Sequence, residues 1–236
     1  MIFFSLLAVV FLSPLPYATN RPWSWSLWAL LIALITICWC IHTLFKQLSV
    51  DHYHPLKPIK GLALVFFLVI LWAFIQITSI IPADWGHPLW NMTENILQRD
   101  VSTSISLNRA DSITSIMRLV SYALVFLLSF YYCHDRDKAK NIFAGMMISG
   151  FLYSIYGLII HLGGFKTILW QENWYGDALT STFVNRNHFA SYAGLTLICS
   201  LALLSDGVQS SSKYKLGGYL GWQRFIENLI NRNWFP

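Results

Sequence analysis

Residues 61–83 read GLALVFFLVILWAFIQITSIIPA and contain no Asp, Glu, Lys or Arg. A helix needs about 20 consecutive apolar residues to cross the hydrocarbon core of a bilayer, so this stretch predicts a transmembrane helix. The rest of the chain has the same character: 56% of its 236 residues are hydrophobic, 11% are charged, and the mean hydropathy is +0.51. Because soluble domains carry about 25% charged residues, we interpret the chain as an integral membrane protein.

Five further stretches predict helices of the same kind. One of them, residues 112–134, is interrupted only by Arg118, and the others contain no charged residue: 1–20, 22–45, 141–165 and 187–205. The expected fold is therefore all-α, a bundle of about six transmembrane helices. Pro14 and Pro16 shorten the first helix. It has neither a basic start nor a small-residue cleavage site, so we do not interpret it as a removable signal peptide.

The distribution of Lys and Arg predicts the orientation of these helices. Ten lie in loops on one face: Lys46, Lys57, Lys60, Arg136, Lys138, Lys140, Lys213, Lys215, Arg224 and Arg232. Five lie in loops on the other face: Arg21, Arg99, Arg109, Lys166 and Arg186. Cytoplasmic loops are the richer in Lys and Arg, so we expect both termini to be cytoplasmic. The basic residues are scattered over short loops, which excludes a nucleic-acid interface as the reason for the net charge of +5.

The chain divides into two parts. Residues 1–205 form the predicted transmembrane bundle, and residues 206–236 form a cytoplasmic tail. The tail begins as a linker, and from Tyr219 onward its apolar residues recur near helical spacing. That pattern indicates an amphipathic helix on the inner leaflet, or the approach to another span.

Small residues, cysteines and histidines carry structural interpretations. Gly145 with Ser149, and Gly150 with Ser154, are spaced four apart and favour close helix packing. The four cysteines lie in predicted helices and are interpreted as small apolar residues. His52 and His54 have no further ligands nearby in the sequence, so we expect neither a metal site nor a cofactor.

A row of polar residues interrupts this apolar sequence. Residues 181–194 read STFVNRNHFASYAG, and Asn185, Arg186, Asn187 and His188 directly precede the last predicted helix. Asn187 is a natural N-cap. Arg186 beside the positive end of a helix predicts an anion site, because guanidinium grips phosphate oxygens in a bidentate way. The alternative is an interfacial anchor, in which the same side chains lie at headgroup depth.

This stretch closely resembles the GTFVNRNHFAGYL signature of the O-antigen ligase and polysaccharide polymerase superfamily. Weaker resemblance extends to LWAFIQITSIIP, SISLNRADSITSIMRLVSYALVFLL and WYGDALTSTFVNRNHFA, within residues 1–205. Ser181 stands where the signature usually has Gly. Family members have further helices and a second large outer loop, so the chain resembles the amino-terminal half of such a protein.

The resemblance implies an activity at the outer face of the bacterial inner membrane. Family members transfer or polymerise glycans carried on undecaprenyl diphosphate, without a metal ion or a nucleotide. It implies that Arg186 binds the diphosphate and that Asn185 and Asn187 either orient it or donate to its oxygens. His188 either donates to the diphosphate or has a structural role as a cap. The catalytic residues are unknown, because the outer-face carboxylates of Glu172 and Asp177 are not convincing bases. We expect this chain to be inactive alone, with membrane lipids and a second chain as further partners.

Arg118 lies inside a predicted transmembrane helix. A charge at full depth in a bilayer costs about 2.5–3.5 kcal/mol on insertion scales. Arg118 therefore either snorkels outward or points toward the same polar cavity as Arg186 and contributes to diphosphate binding.

The alternatives to a glycosyltransferase are a non-catalytic membrane subunit that binds lipid carrier or a partner, and a transporter of small anions.

Overall fold

The computed structural model describes residues 1–15, 18, 20–47, 57–165, 167–169, 171–172 and 178–212. Its helices are α1 (Ile2–Leu12), α2 (Pro22–Gln47), α3 (Lys60–Ile77), α4 (Pro88–Leu97), α5 (Arg109–Cys133), α6 (Arg136–Leu162) and α7 (Arg186–Ser212). A two-residue antiparallel pair, β1 (Thr167–Ile168) with β2 (Gln171–Glu172), lies between α6 and α7. The predicted tail beyond Ser212, His52, His54 and Asp177 lie outside the described residues.

Five helices of the described chain are long and apolar enough to cross a membrane, namely α2, α3, α5, α6 and α7. Their side chains leave large apolar surfaces exposed: none of the 18 residues of α3 is buried, and Phe67 is 60% exposed. Exposed apolar surface of this extent fits contact with lipid chains. The chain is therefore a multi-pass, all-α membrane protein.

The first predicted span differs from expectation. In place of a helix over residues 1–20, α1 has 11 residues, which at about 1.5 Å each is too short to cross the bilayer. Its last backbone hydrogen bond runs from Ser13 N to Val9 O. Pro14 follows, and proline ends a helix because it lacks an N–H group and crowds the preceding turn.

The helices α5 and α6 begin three and five residues before their charge-free stretches, because capping residues set the helix ends. Asn108 Oδ1 accepts from Asp111 N at 3.1 Å at the start of α5. Asp135 Oδ1 accepts from Asp137 N at 3.0 Å at the start of α6. The ammonium of Lys138 and the Asp137 N–H also lower the pKa of the Asp135 carboxyl group. Charged first turns are therefore part of both helices.

The chain forms two compact units. The first comprises Met1–Leu6 and Pro22–His134. Its core contains Leu6, Trp39 and Leu128, with the Trp39 and Tyr131 rings 5.1 Å apart. Residues early in α2 contact residues early in the paired part of α5, and residues later in α2 contact residues later in α5, so these helices are parallel.

The second unit comprises Leu7–Arg21 and the described residues from Asp135 onward. Its α6 and α7 are antiparallel: Ser149 Oγ and Tyr192 OH are 2.7 Å apart, and Asp206 near the end of α7 pairs with Arg136 and Lys140. The close approach expected at Gly150 is confirmed, since a Cβ there would overlap the Thr196 side chain.

The second half of α1 packs along α6. A Cβ at Gly145 would lie 2.7 Å from Leu7 Cδ1, and Tyr153 OH donates to Phe11 O at 3.1 Å. These contacts advance along both helices together, so residues 7–11 run parallel to α6. The cytoplasmic location of the termini stays a prediction.

Candidate functional site

The candidate site is the polar row at the start of α7. The helix begins at Arg186, within two residues of Asn187 as expected. The prediction of Asn187 as the N-cap is wrong, because Asn185 takes that role. Asn185 Oδ1 accepts from Asn187 N at 2.8 Å, and Asn185 O accepts from Phe189 N at 3.1 Å. Asn187 is thus the second residue of the helix.

With this cap, every second backbone N–H group at the start of α7 has no acceptor among the described residues. The N–H groups of Asn187 and Phe189 are used by Asn185, whereas those of Arg186 and His188 have no acceptor among the described residues. All four residues from Asn185 to His188 are exposed. The guanidinium and the imidazole likewise have no hydrogen-bond partner in the described part of the chain. The start of α7 therefore presents free N–H groups beside a cation at the positive end of the helix dipole.

Two buried aromatic residues hold the row at the surface. Phe183 and Phe189 flank it and are 8% and 6% exposed, with ring centroids 5.9 Å apart. Phe183 also lies 5.2 Å from the ring of Tyr192, one turn further along α7. This pairing resembles a hydrophobic staple, in which apolar residues before and inside a helix fix the angle at which the chain enters it. With the rings buried, the side chains between them face outward.

A tight turn before the row sits against α6. Ser181 has a φ of 52°, in the left-handed region, and its hydroxyl donates to Tyr153 O at 2.6 Å. A Cβ at Gly157 would lie 2.9 Å from Ser181 Cβ, so the turn and α6 need the small residue for close contact. Phe183 N closes the turn on Thr180 O at 2.9 Å. The left-handed φ explains physically why a glycine suits this position.

The segment between α6 and the turn is also anchored to α6. Leu169 N, next to β1, donates to Tyr156 OH at 2.8 Å. Glu172 lies in β2, with its side chain outside the described atoms, and Asp177 is outside the described residues. The role of either carboxylate therefore stays a prediction.

Arg118 belongs to the first unit, whereas the row belongs to the second. Its guanidinium lies over the ring of Trp25, 4.8 Å from the centroid. Its Nε is buried and has no hydrogen-bond partner among the described residues. Arg118 is therefore fixed on α2 by stacking, a contact that the sequence did not predict.

Sequence reasoning also missed the residues that position the row. Phe183, Phe189, Tyr153 and Gly157 were not singled out as its supports. A usable signal was present, because two aromatic residues six positions apart bracket the polar row in an N-terminal capping pattern. The contacts with α6 had no comparable signal.

Comparison with family models, with characterised proteins and with solved structures finds no match to this chain. Among the described residues, no three His, Cys, Asp or Glu side chains are grouped as a metal site would need. The row itself offers guanidinium, imidazole, amide and backbone N–H donors. Donors of these kinds are able to bind an anion.

Proposed function

We propose that this protein takes part in the transfer or polymerisation of glycans carried on undecaprenyl diphosphate, at the outer face of the bacterial inner membrane. In this proposal residues 185–188 bind the diphosphate. The observation that carries it is the start of α7, where an exposed Arg186 adjoins two free backbone N–H groups. The resemblance of residues 181–194 to the ligase and polymerase signature supports the same ligand.

The donors of the row match the charge and shape of a diphosphate. The planar fork of Arg186 can grip two oxygens of one phosphoryl group. The free N–H groups of Arg186 and His188 and the positive end of α7 favour the remaining negative charge. Asn185 Oδ1 is occupied as the cap, so its role is to set the geometry of the helix start. The side chains of Asn187 and His188 remain able to donate to phosphate oxygens.

Binding of this kind would assist the reaction. The diphosphate is the leaving group when a glycan passes to an acceptor hydroxyl, and negative charge develops on it as the bond breaks. Donors fixed before the reaction stabilise that charge without reorganisation. The reaction also needs a base for the acceptor hydroxyl, and we assign none. The proposal for this chain is therefore donor binding and leaving-group stabilisation.

The test is binding of undecaprenyl diphosphate to the purified full chain in nanodiscs, with undecaprenyl monophosphate for comparison. Charge-assisted hydrogen bonds contribute about 1.5–3 kcal/mol each, so Arg186→Ala should weaken diphosphate binding by about tenfold to a hundredfold. Arg186→Lys should restore only part of the affinity, because Lys lacks the bidentate fork.

The matched control is Arg99→Ala, which removes another exposed arginine, one that is predicted to lie on the same face but outside the row. This variant should bind the diphosphate as wild type does. Wild-type affinity in a folded Arg186→Ala variant, or full recovery by Arg186→Lys, would leave the row as an interfacial anchor only.

A further inference from the structure

Arg118 is a cation inside a predicted membrane span without a charge partner. It is the tenth residue of α5 and is partly buried. The ion pairs of the described chain involve Arg136, Lys138 and Lys140, not Arg118. Its Nε is buried with no acceptor among the described residues. Since charged residues in membrane spans are costly unless they are paired, an acceptor from outside the described chain is expected.

Arg109, nine residues earlier, shows how the same unit satisfies an arginine. Its guanidinium also lies over a tryptophan, Trp90, 5.4 Å from the ring centroid. Its three nitrogens donate to Ser104 Oγ at 3.0 Å, Ser102 Oγ at 3.0 Å and Ser102 O at 2.6 Å. Both guanidinium groups lie over a tryptophan ring, but among the described residues only Arg109 has hydrogen-bond acceptors. Compared with Arg109, Arg118 has a guanidinium that lies over a ring but donates no hydrogen bond to the described residues.

The tryptophans near Arg118 bring further hydrogen-bond donors to it. Trp25 and Trp28 are three residues apart on α2 and so share a face. Their Nε1 atoms are buried and have no partner among the described residues. The indoles of Trp39 and Trp90 share this property, so the guanidinium is the feature that distinguishes this cluster. The guanidinium lies over the Trp25 ring, 4.8 Å from its centroid, and a guanidinium can donate to two oxygens of one ligand.

The depth of this cluster matches the headgroup region of a bilayer. Trp25 is the fourth residue of α2, so the stack lies about 5 Å along the axis from the start of that helix. Tryptophan is enriched at this level of membrane proteins. Tyr122, one turn beyond Arg118 on the same face of α5, is 66% exposed. A lipid chain can therefore lie along α5 while its headgroup reaches Arg118.

We propose that Arg118, stacked on Trp25 near the start of α2, binds the phosphate group of a membrane lipid. The phosphate oxygens accept from the guanidinium edge and supply the missing counter-charge. The acyl chains lie along the exposed face of α5. The residues of this site belong to the first unit, and the site does not depend on the function proposed for the polar row at residues 185–188.

The test titrates the purified full chain, in a phosphate-free maltoside detergent, with phosphatidic acid as the probe. Binding is measured by native mass spectrometry and by the rise in melting temperature on adding the lipid. Arg118→Gln should weaken binding by about tenfold or more and abolish the rise. Arg118→Lys should be intermediate, because it keeps the charge without the fork. Arg109→Gln is the control and should bind as wild type does.

Two further arms identify the ligand and guard against misfolding. Diacylglycerol lacks the phosphate and inorganic phosphate lacks the chains, so both should bind at least tenfold more weakly than phosphatidic acid. Trp25→Leu removes the stack while keeping the cation, and it should also weaken binding. Equal binding of phosphatidic acid and diacylglycerol, equal binding of inorganic phosphate, or wild-type binding by folded Arg118→Gln and Trp25→Leu variants would each overturn the proposal.

Discussion

Ser181 should tolerate glycine better than alanine, contrary to the usual preference of folded proteins. Its φ of 52° lies in the left-handed region, which costs an L-residue about 1–2 kcal/mol. Its hydroxyl donates to Tyr153 O at 2.6 Å, which contributes about 1 kcal/mol. Ser181→Ala keeps the strained φ and loses the bond. Ser181→Gly loses the bond but relieves the strain, so it should remain close to wild type.

The size of the difference follows from these terms. Glycine gains about 1–2 kcal/mol from relief of strain and loses about 0.5–1 kcal/mol through its greater freedom in the unfolded chain. The midpoint of the difference is about 0.75 kcal/mol, so Ser181→Gly should unfold about 1.5–3 °C above Ser181→Ala in a chain of this size, as measured by thermal unfolding in detergent.

Ser149 provides the matched control. It is buried in the middle of α6, where the backbone is helical. Ser149→Gly should there be less stable than Ser149→Ala, by about 1 kcal/mol. Suppose that Ser181→Ala is as stable as Ser181→Gly, while the pair at Ser149 shows the expected order. The inference that Ser181 has a strained backbone in the turn before the polar row would then be wrong.

Two further predictions test the cap and the helix packing. Asn185→Ala should destabilise the chain by about 0.5–2 kcal/mol, because it removes the cap of α7. Asn187→Ala should have little effect on thermal unfolding. If Asn187→Ala were the more destabilising of the two, Asn187 and not Asn185 would be the N-cap. Gly150→Ala should cost about 1–3 kcal/mol by overpacking, since its Cβ would overlap Thr196, whereas Gly61→Ala, with nothing within 4 Å of the new Cβ, should not lower the melting temperature. An equal loss of stability at both glycines would contradict the packing of α6 on α7.

The transmembrane spans were predictable from charge-free runs, but their ends were not. The run at residues 112–134 corresponds to α5, yet the helix begins at Arg109 because Asn108 caps it. The run at residues 1–20 overstated the first helix, although Pro14 stands inside it. Hydropathy measures solubility in the bilayer, whereas capping and proline decide where a helix stops.

The start of α7 was predictable to within two residues, but its cap was not. The segment Asn185-Arg186-Asn187 offers an amide side chain at two positions, and either can cap a helix. The turn that precedes the cap is held against α6 by the hydrogen bond from Ser181 to Tyr153 O. Local sequence carries no information on a partner 28 residues away.

The surroundings of Arg118 were beyond sequence reasoning for a similar reason. The sequence allowed either snorkelling or a shared polar cavity, and both stay predictions, but it did not indicate that the guanidinium lies over the ring of Trp25. To predict that contact, one would have to know that α2 and α5 are parallel neighbours. A cluster of tryptophans at the start of α2 was the available signal, since they mark the headgroup level.

The most direct test of the proposed function combines the side of the membrane with the ligand. A chain without its native cysteines and carrying Asn187→Cys can be treated with a membrane-impermeant thiol reagent in right-side-out vesicles. Position 187 is exposed and is not the cap, so the substitution should leave the fold intact. We expect the reagent to label this cysteine, and undecaprenyl diphosphate, but not the monophosphate, to slow the labelling. Labelling only from the cytoplasmic side, or at a rate that the diphosphate does not change, would contradict the assignment of residues 185–188 as an outer-face diphosphate site.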